Sequence, residues 1–143
     1  MRNSNKRFSS WVKWENRNSF SGIMKPGVYL LAHSTNVPSG HPNPLSKKIV
    51  YIGETTRQTL KKRLDQFDKS AFSQKNLHSG GKTYRNTPRN KLLELGKHLL
   101  VAIGPYQIPK KEDLTESYIK YLERKLIWEY VDRRNKRPLC NKR

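Results

Sequence analysis

The sequence predicts an α/β domain in which short apolar strands are flanked by amphipathic helices. Three observations carry this. Residues 27–32 and 49–52 are short β-branched or apolar runs, each holding a tyrosine. A third apolar run, residues 99–103, is closed by Gly104-Pro105. Leu60, Leu64, Phe67 and Ala71, and later Ile119, Leu122, Leu126, Ile127 and Tyr130, recur at helical spacing.

Residues 1–26 form a polar, basic lead-in that ends at Lys25-Pro26-Gly27. Trp11 and Trp14 stand three apart, so on a helix they would share a face. Such a segment either pins the terminus to the core or serves as an arm against DNA or a second subunit. The first strand follows, and then residues 33–48, a loop rich in Ser, Pro, Asn and Gly across which the first two strands pair antiparallel. A loop of this length is often functional. Its histidines, His33 and His41, have no second ligand at metal-site spacing and are expected in solvent.

Gly53 ends the second strand, and Thr55 or Thr56 can cap a helix running to about Ser70. Arg63 falls on or beside the apolar stripe of that helix, where a guanidinium needs a carboxylate or a ligand anion beside it. Residues 74–86 read as loop, with Gly80-Gly81 forming either an ordinary flexible turn or a cradle of amides for a phosphate. Thr87-Pro88 then opens a helix through Leu92, Leu93 and Leu95 that stops near Gly96.

The last helix starts at Asp113 or Thr115 and ends before Pro138. At about 100° per residue, Glu123 lands inside its buried stripe. A carboxylate there requires a cation, either an arginine such as Arg63 or a metal ion.

The chain has 143 residues, enough for one domain with a modest core, and carries 30 Lys+Arg against 11 Asp+Glu, a net charge of +19. A field of that sign attracts polyanions, nucleic acid foremost. No run is long or apolar enough to span a bilayer, no basic amphipathic segment suits a lipid surface, and the first residues lack a secretory apolar core. The single cysteine, Cys140, cannot form an internal disulfide and fits a reducing compartment. These features point to a cytoplasmic protein with no membrane partner.

Taken together, the motifs resemble the GIY-YIG nuclease family. Gly27-Val28-Tyr29 matches the first signature with Val for Ile, and Tyr51-Ile52-Gly53 matches the second unaltered. Arg63, Glu123 and Asn141, the last in Pro138-Leu139-Cys140-Asn141, stand where the family has its arginine, glutamate and terminal asparagine. The likeness covers residues 27–141 and treats residues 1–26 as a basic N-terminal extension to a nuclease domain at 27–143.

The resemblance implies a small three-stranded, mostly antiparallel sheet flanked by helices, and a bacterial or phage-encoded enzyme. It further implies Mg²⁺- or Mn²⁺-dependent hydrolysis of phosphodiester bonds, with no small-molecule cofactor. Glu123 would hold the cation, and Tyr29 would lie near the attacking water as general base. Tyr51 would position phosphate or water, Arg63 would bind the scissile phosphate, and Asn141 would orient neighbours. A free tyrosine has a pKa of about 10, so Tyr29 needs a positive charge nearby to act as a base.

Two departures stand out. Arg63 lies farther from Tyr51 than in the members with the shortest spacing, which makes Arg57 a rival for the phosphate. Phe67 stands one turn after the arginine, where many members have His or Tyr. Arg57, Lys61, Lys62, Lys82 and Arg85 are the further candidates for DNA contact. A compact member of this kind resembles the small Type II restriction enzymes, which implies double-stranded DNA as substrate and a symmetric homodimer to cut both strands. A structure-specific or mobile-element DNA nuclease, and a non-catalytic basic nucleic-acid-binding protein, are the competing expectations.

Overall fold

The computed structural model describes residues 8–88 and 96–142. The helix expected through Leu92, Leu93 and Leu95 lies outside the described residues. Four strands form one antiparallel sheet: β1 (Val12–Lys13), β2 (Gly27–His33), β3 (Ile49–Thr55) and β4 (Leu99–Pro105), in the order β1-β4-β2-β3. The helices are α1 (Leu60–Phe72), α2 (Ser79–Arg85) and α3 (Glu112–Arg134).

The sheet therefore has four strands where three were expected. The extra strand comes from the lead-in: Val12 and Lys13 pair with Val101 and Leu100. A two-residue strand leaves no alternation to read. Phe8, Trp11, Trp14 and Ile23 are all buried, so the segment contributes core as well as backbone pairing. Trp11 and Trp14 do not share a helical face. The backbone between them is extended, and a step of three residues on a strand points side chains to opposite sides. Trp11 joins the cluster under α3, while Trp14 joins the cluster under α1.

The pleat explains the two-layer core. Tyr29, Leu31, Val101 and Ile103 face α1 and α2, with Leu60, Leu64, Phe67 and Tyr84 packed on them. Val28, Leu30, Ala32, Ile52, Leu100 and Ala102 face α3, against Ile119, Leu122, Leu126 and Tyr130. The regular register sets Tyr51 opposite Leu31, on the α1 side, and a shift after that pair sets Ile49 opposite Ala32. β3 is an edge strand, and the C-terminal tail covers part of that edge: Cys140 donates its amide to the Val50 carbonyl at 2.8 Å.

Helix α1 is capped by Thr59, whose hydroxyl accepts from the Lys62 amide, rather than by Thr55 or Thr56. The chain keeps extended geometry through Thr55, so capping waits until it has turned. α3 begins at Glu112, one residue before the expected start, and its last carbonyls are closed by Asn135 in the left-handed conformation. Among the described residues no helix is long and apolar enough to cross a membrane.

Residues 79–85, expected within a loop, form α2. Glycine pairs disfavour helix by about 1 kcal/mol each, so propensity argues against it. Packing overrides propensity here. A Cβ on Gly81 would lie 2.8 Å from the Phe67 carbonyl oxygen, and one on Gly80 would lie 2.5 Å from the Tyr51 ring. Only glycine lets α2 approach α1 and the second tyrosine this closely. The phosphate-cradle alternative for these glycines finds no support in that role.

His33 is the other correction. It is the last residue of β2, 7% exposed, and its Nε2 bonds the Tyr84 hydroxyl at 2.7 Å. Burial drives its pKa down to about 4. His41 does sit exposed in the loop, as expected.

Candidate nuclease site

A cleft of about 260 Å³ opens at the edge of β3, between α3 and the α1–α2 pair. Tyr51, Arg63, Glu123 and Asn141, spread over most of the chain, all line it, and Glu54 joins them. Because β3 is the edge strand, the cleft reaches both faces of the sheet. Tyr51 enters from the α1 side, while Glu54, paired with Val28 and in phase with Ile52, lies on the α3 side.

Each side chain is held by identifiable contacts. Asn141 makes a two-point bond with one residue of the edge strand, accepting from the Ile52 amide and donating to the Ile52 carbonyl, both at 2.9 Å. It thereby fixes the backbone between Tyr51 and Gly53. Arg63 donates through Nη1 to Gln66 Oε1 at 2.9 Å and to the Leu77 carbonyl at 3.4 Å. Gln66 is in turn locked by reciprocal amide bonds with Gln58 at 3.1 and 3.2 Å. Both of these bonds use Nη1, and the guanidinium also bears on the Tyr29 hydroxyl through a hydrogen bond and its charge. Arg63 makes no ion pair with Glu123, which removes the structural pairing as the reason for either residue.

Tyr29 does not line the cleft. It is fully buried behind Tyr51, with ring centroids 6.0 Å apart, and Gly53 lies between them. A Cβ on Gly53 would sit 2.5 Å from the Tyr29 ring and 2.6 Å from Tyr51, so this glycine is required by the two phenols. Burial raises the Tyr29 pKa well above the ordinary value. The negative form of Tyr51 adds to this, and the charge of Arg63 opposes it. Tyr51 is pushed up to about 12 by burial, again against the pull of Arg63. Both phenols are therefore protonated near neutral pH.

His78 is the residue sequence reasoning missed. It is 2% exposed, and its Nε2 lies 2.5 Å from the Tyr29 hydroxyl. Its ring packs edge-on against Tyr51 and Phe67 at 5.4 and 5.1 Å. It is the N-cap of α2, and its Nδ1 accepts the Gly81 amide at 3.2 Å. Ser70, fully buried, anchors the turn by accepting from the Leu77 and His78 amides, both at 2.9 Å.

The cap assigns the tautomer. An Nδ1 that accepts carries no proton, and burial together with Arg63 drives the His78 pKa down to about 3, so the ring is neutral. The proton is then on Nε2, and His78 donates to the Tyr29 oxygen. Tyr29 keeps its own proton for another acceptor. Phe67 stands one turn after Arg63, and the histidine that caps the next helix lies against it. The only trace of this in the sequence is a capping-competent residue before Ser79-Gly80-Gly81.

The His78–Tyr29 bond predicts a coupling. His78→Asn keeps an acceptor at the cap but cannot reach Tyr29, and Tyr29→Phe leaves Nε2–H without a partner. Each leaves a buried polar group unsatisfied, at a cost of about 1–3 kcal/mol. The double variant is expected to lose less stability than the sum of the two, as read by denaturant unfolding; strict additivity would contradict the bond.

Glu123 is half-buried at the border of the α3 stripe, facing the cleft. Burial raises its pKa to about 7, with the Glu54 charge adding to the shift and Arg124 and Lys120 opposing it. Glu54 is raised as well, mainly by burial. Its Oε2 is buried and has no hydrogen-bond partner. The folded state therefore holds the Glu123 proton more tightly than the unfolded state does. Between the ordinary carboxyl range and about pH 7, this group's contribution to stability falls as pH rises. In chelator, the wild type is expected to lose more thermal stability between about pH 5 and about pH 8 than Glu123→Gln does. Equal losses would contradict the burial of this carboxyl.

The remaining basic candidates separate into two groups. Arg57 is engaged by Glu116 at 2.5 Å, Asp113 at 3.5 Å and Glu112 at 3.6 Å, so it is committed to the first turn of α3. Lys61 pairs with Asp65 at 2.9 Å. Arg85 bonds the Ser70 and Lys75 carbonyls and Asn76, bracing the α1–α2 connection. Lys62 and Lys82 are exposed and remain for a polyanion.

Among the described residues no group of three or more His, Cys, Asp or Glu side chains is arranged to hold a metal ion. Magnesium does not demand such a cage. It is commonly held by one or two carboxylates, with water and substrate phosphate completing the octahedron. Glu123, the orphaned Glu54 oxygen and an open cleft fit that donor set. Compared with protein-family models, with curated proteins and with solved structures, the chain has no match.

Proposed function

We propose that the chain is a divalent-metal-dependent DNA endonuclease, hydrolysing phosphodiester bonds of double-stranded DNA in the manner of a small Type II restriction enzyme. The observation that carries this reading is the shared cleft. A phenol, a guanidinium, a half-buried carboxylate and an edge-clamping asparagine line it together. The motif resemblance and the net charge of +19 support it.

Glu123 is the residue to hold the cation. A bound Mg²⁺ or Mn²⁺ supplies Lewis-acid polarisation of the phosphoryl group and stabilises the leaving oxygen. The chain's own residues do the rest. Arg63, with Nη1 fixed by Gln66, meets the phosphate oxygens, where negative charge grows in the transition state. Tyr51, protonated throughout the working range, is a hydroxyl donor for a phosphate oxygen. Tyr29 and His78 fix the Tyr51 ring from behind, and Gly53 and Gly80 hold it from its two sides. The direct role for Tyr29 as a base toward water gives way to a supporting one, because its hydroxyl is buried and bonded to His78. Lys62 and Lys82 add phosphate contacts outside the cleft. Two copies related by a twofold axis would cut both strands.

The test is incubation with supercoiled plasmid and Mg²⁺. A discrete ladder of linear fragments that disappears with chelator is the expected result. Retention of DNA without any cleavage in Mg²⁺ or Mn²⁺, with affinity falling steeply with salt, would leave only a basic nucleic-acid-binding protein.

A further inference from the structure

We propose that Glu54 is a second carboxylate ligand for the cation held by Glu123, so that the two glutamates bind one divalent ion between β3 and α3. The inference rests on the nuclease reading for the identity of the ion, but its geometry stands by itself.

Glu54 follows the second signature directly and projects to the α3 side of the edge strand. There it lines the same cleft as Glu123. Its Oε2 is buried with no hydrogen-bond partner. Leaving a carboxylate oxygen bare in the interior is unfavourable unless a cation or a proton compensates it. The protein's own cations do not fill this role. Lys120, Arg63 and Arg124 act on Glu54 through their charge, yet none hydrogen-bonds that oxygen.

Two facing carboxylates also repel. A divalent cation between them would neutralise both, beside the buried Glu54 oxygen that lacks a hydrogen-bond partner. Two carboxylates with water and phosphate oxygens are a donor set that magnesium and manganese accept, and soft thiophilic metals do not. Arg124 and Lys120 flank the pair, so the site is tuned for an ion that arrives with, or is retained by, a phosphate.

The experiment measures Mn²⁺ itself. Free Mn²⁺ is followed by its electron paramagnetic resonance signal during titration of wild type, Glu54→Gln, Glu54→Asp and Glu123→Gln, each checked for folding by circular dichroism. Wild type is expected to remove about one Mn²⁺ per chain, and either Gln variant to weaken binding by about tenfold or more. Glu54→Asp, which keeps the charge, is expected to fall between. Should Glu54→Gln fail to fold, the comparison of Glu54→Asp with wild type decides. Mn²⁺ affinity in the Glu54 variants equal to wild type, or no Mn²⁺ uptake by wild type, overturns the proposal. Plasmid cleavage is scored in parallel. Cleavage with unchanged Mn²⁺ affinity in the Glu54 variants removes this ligand and keeps the nuclease. Glu54-dependent Mn²⁺ uptake without cleavage keeps the ligand and removes the nuclease.

Discussion

Arg63→Ala is expected to lower the cleavage rate by on the order of 10³-fold while leaving the fold in place. The magnitude follows from its position. Arg63 lines the cleft beside Tyr51 and Glu123, and on the proposed reading it acts where phosphoryl charge accumulates; removing one such preorganised group typically costs about 10²- to 10³-fold. Stability should change little, because Arg63 is half-buried and its protein bonds go to Gln66 and one carbonyl rather than to a buried acid. Arg63→Lys is the sharper control. It keeps the charge but loses the planar fork and the lock to Gln66, so it should recover only part of the rate. Full recovery by lysine would mean that charge alone matters and that the Gln58–Gln66 lock on Nη1 is incidental. Rates under single-turnover conditions separate these outcomes from effects on DNA retention.

Glu123→Ala is expected to reduce cleavage by at least as much. If Glu123 holds the cation as proposed, losing it forfeits several kcal/mol of charge stabilisation, or about 10³-fold and upward. The variant should fold, since it removes an unpaired half-buried carboxyl that burial already disfavours. In chelator it should be at least as stable as wild type at pH values above about 7, where the native carboxyl is ionised. DNA retention should survive the change, because it depends on exposed cations such as Lys62 and Lys82 and on the overall charge of +19.

Much of this arrangement was legible in the sequence, and what was not has physical reasons. The three longer strands follow from short apolar and β-branched runs and the two long helices from 3.6-residue patterns, and the fold bears them out. Strand β1 escaped because two residues carry no period, and α2 escaped because Gly80 and Gly81 lower helix propensity where tertiary packing demands them. Of the motif residues singled out in the sequence, Tyr51, Arg63, Glu123 and Asn141 line one cleft. Tyr29 departs from that pattern, since its neighbour across the register is Gly53 and its hydroxyl turns to His78. His78 was hidden because its role depends on a partner 49 positions away, and a single histidine before a glycine pair gives no periodic signal. Arg57 shows the converse. Its sequence position suggests a phosphate contact, but three acids at the start of α3 claim it, a fact that only the fold can supply.

The measurement closest to the central claim places purified wild type and Glu123→Ala side by side on one supercoiled plasmid in Mg²⁺, following both cleavage and filter retention of the DNA. Fragments are expected from the wild type, none from the variant, and equal retention by both. Cleavage by Glu123→Ala at the wild-type rate would contradict that claim, and so would a wild type that holds the DNA and leaves every strand intact.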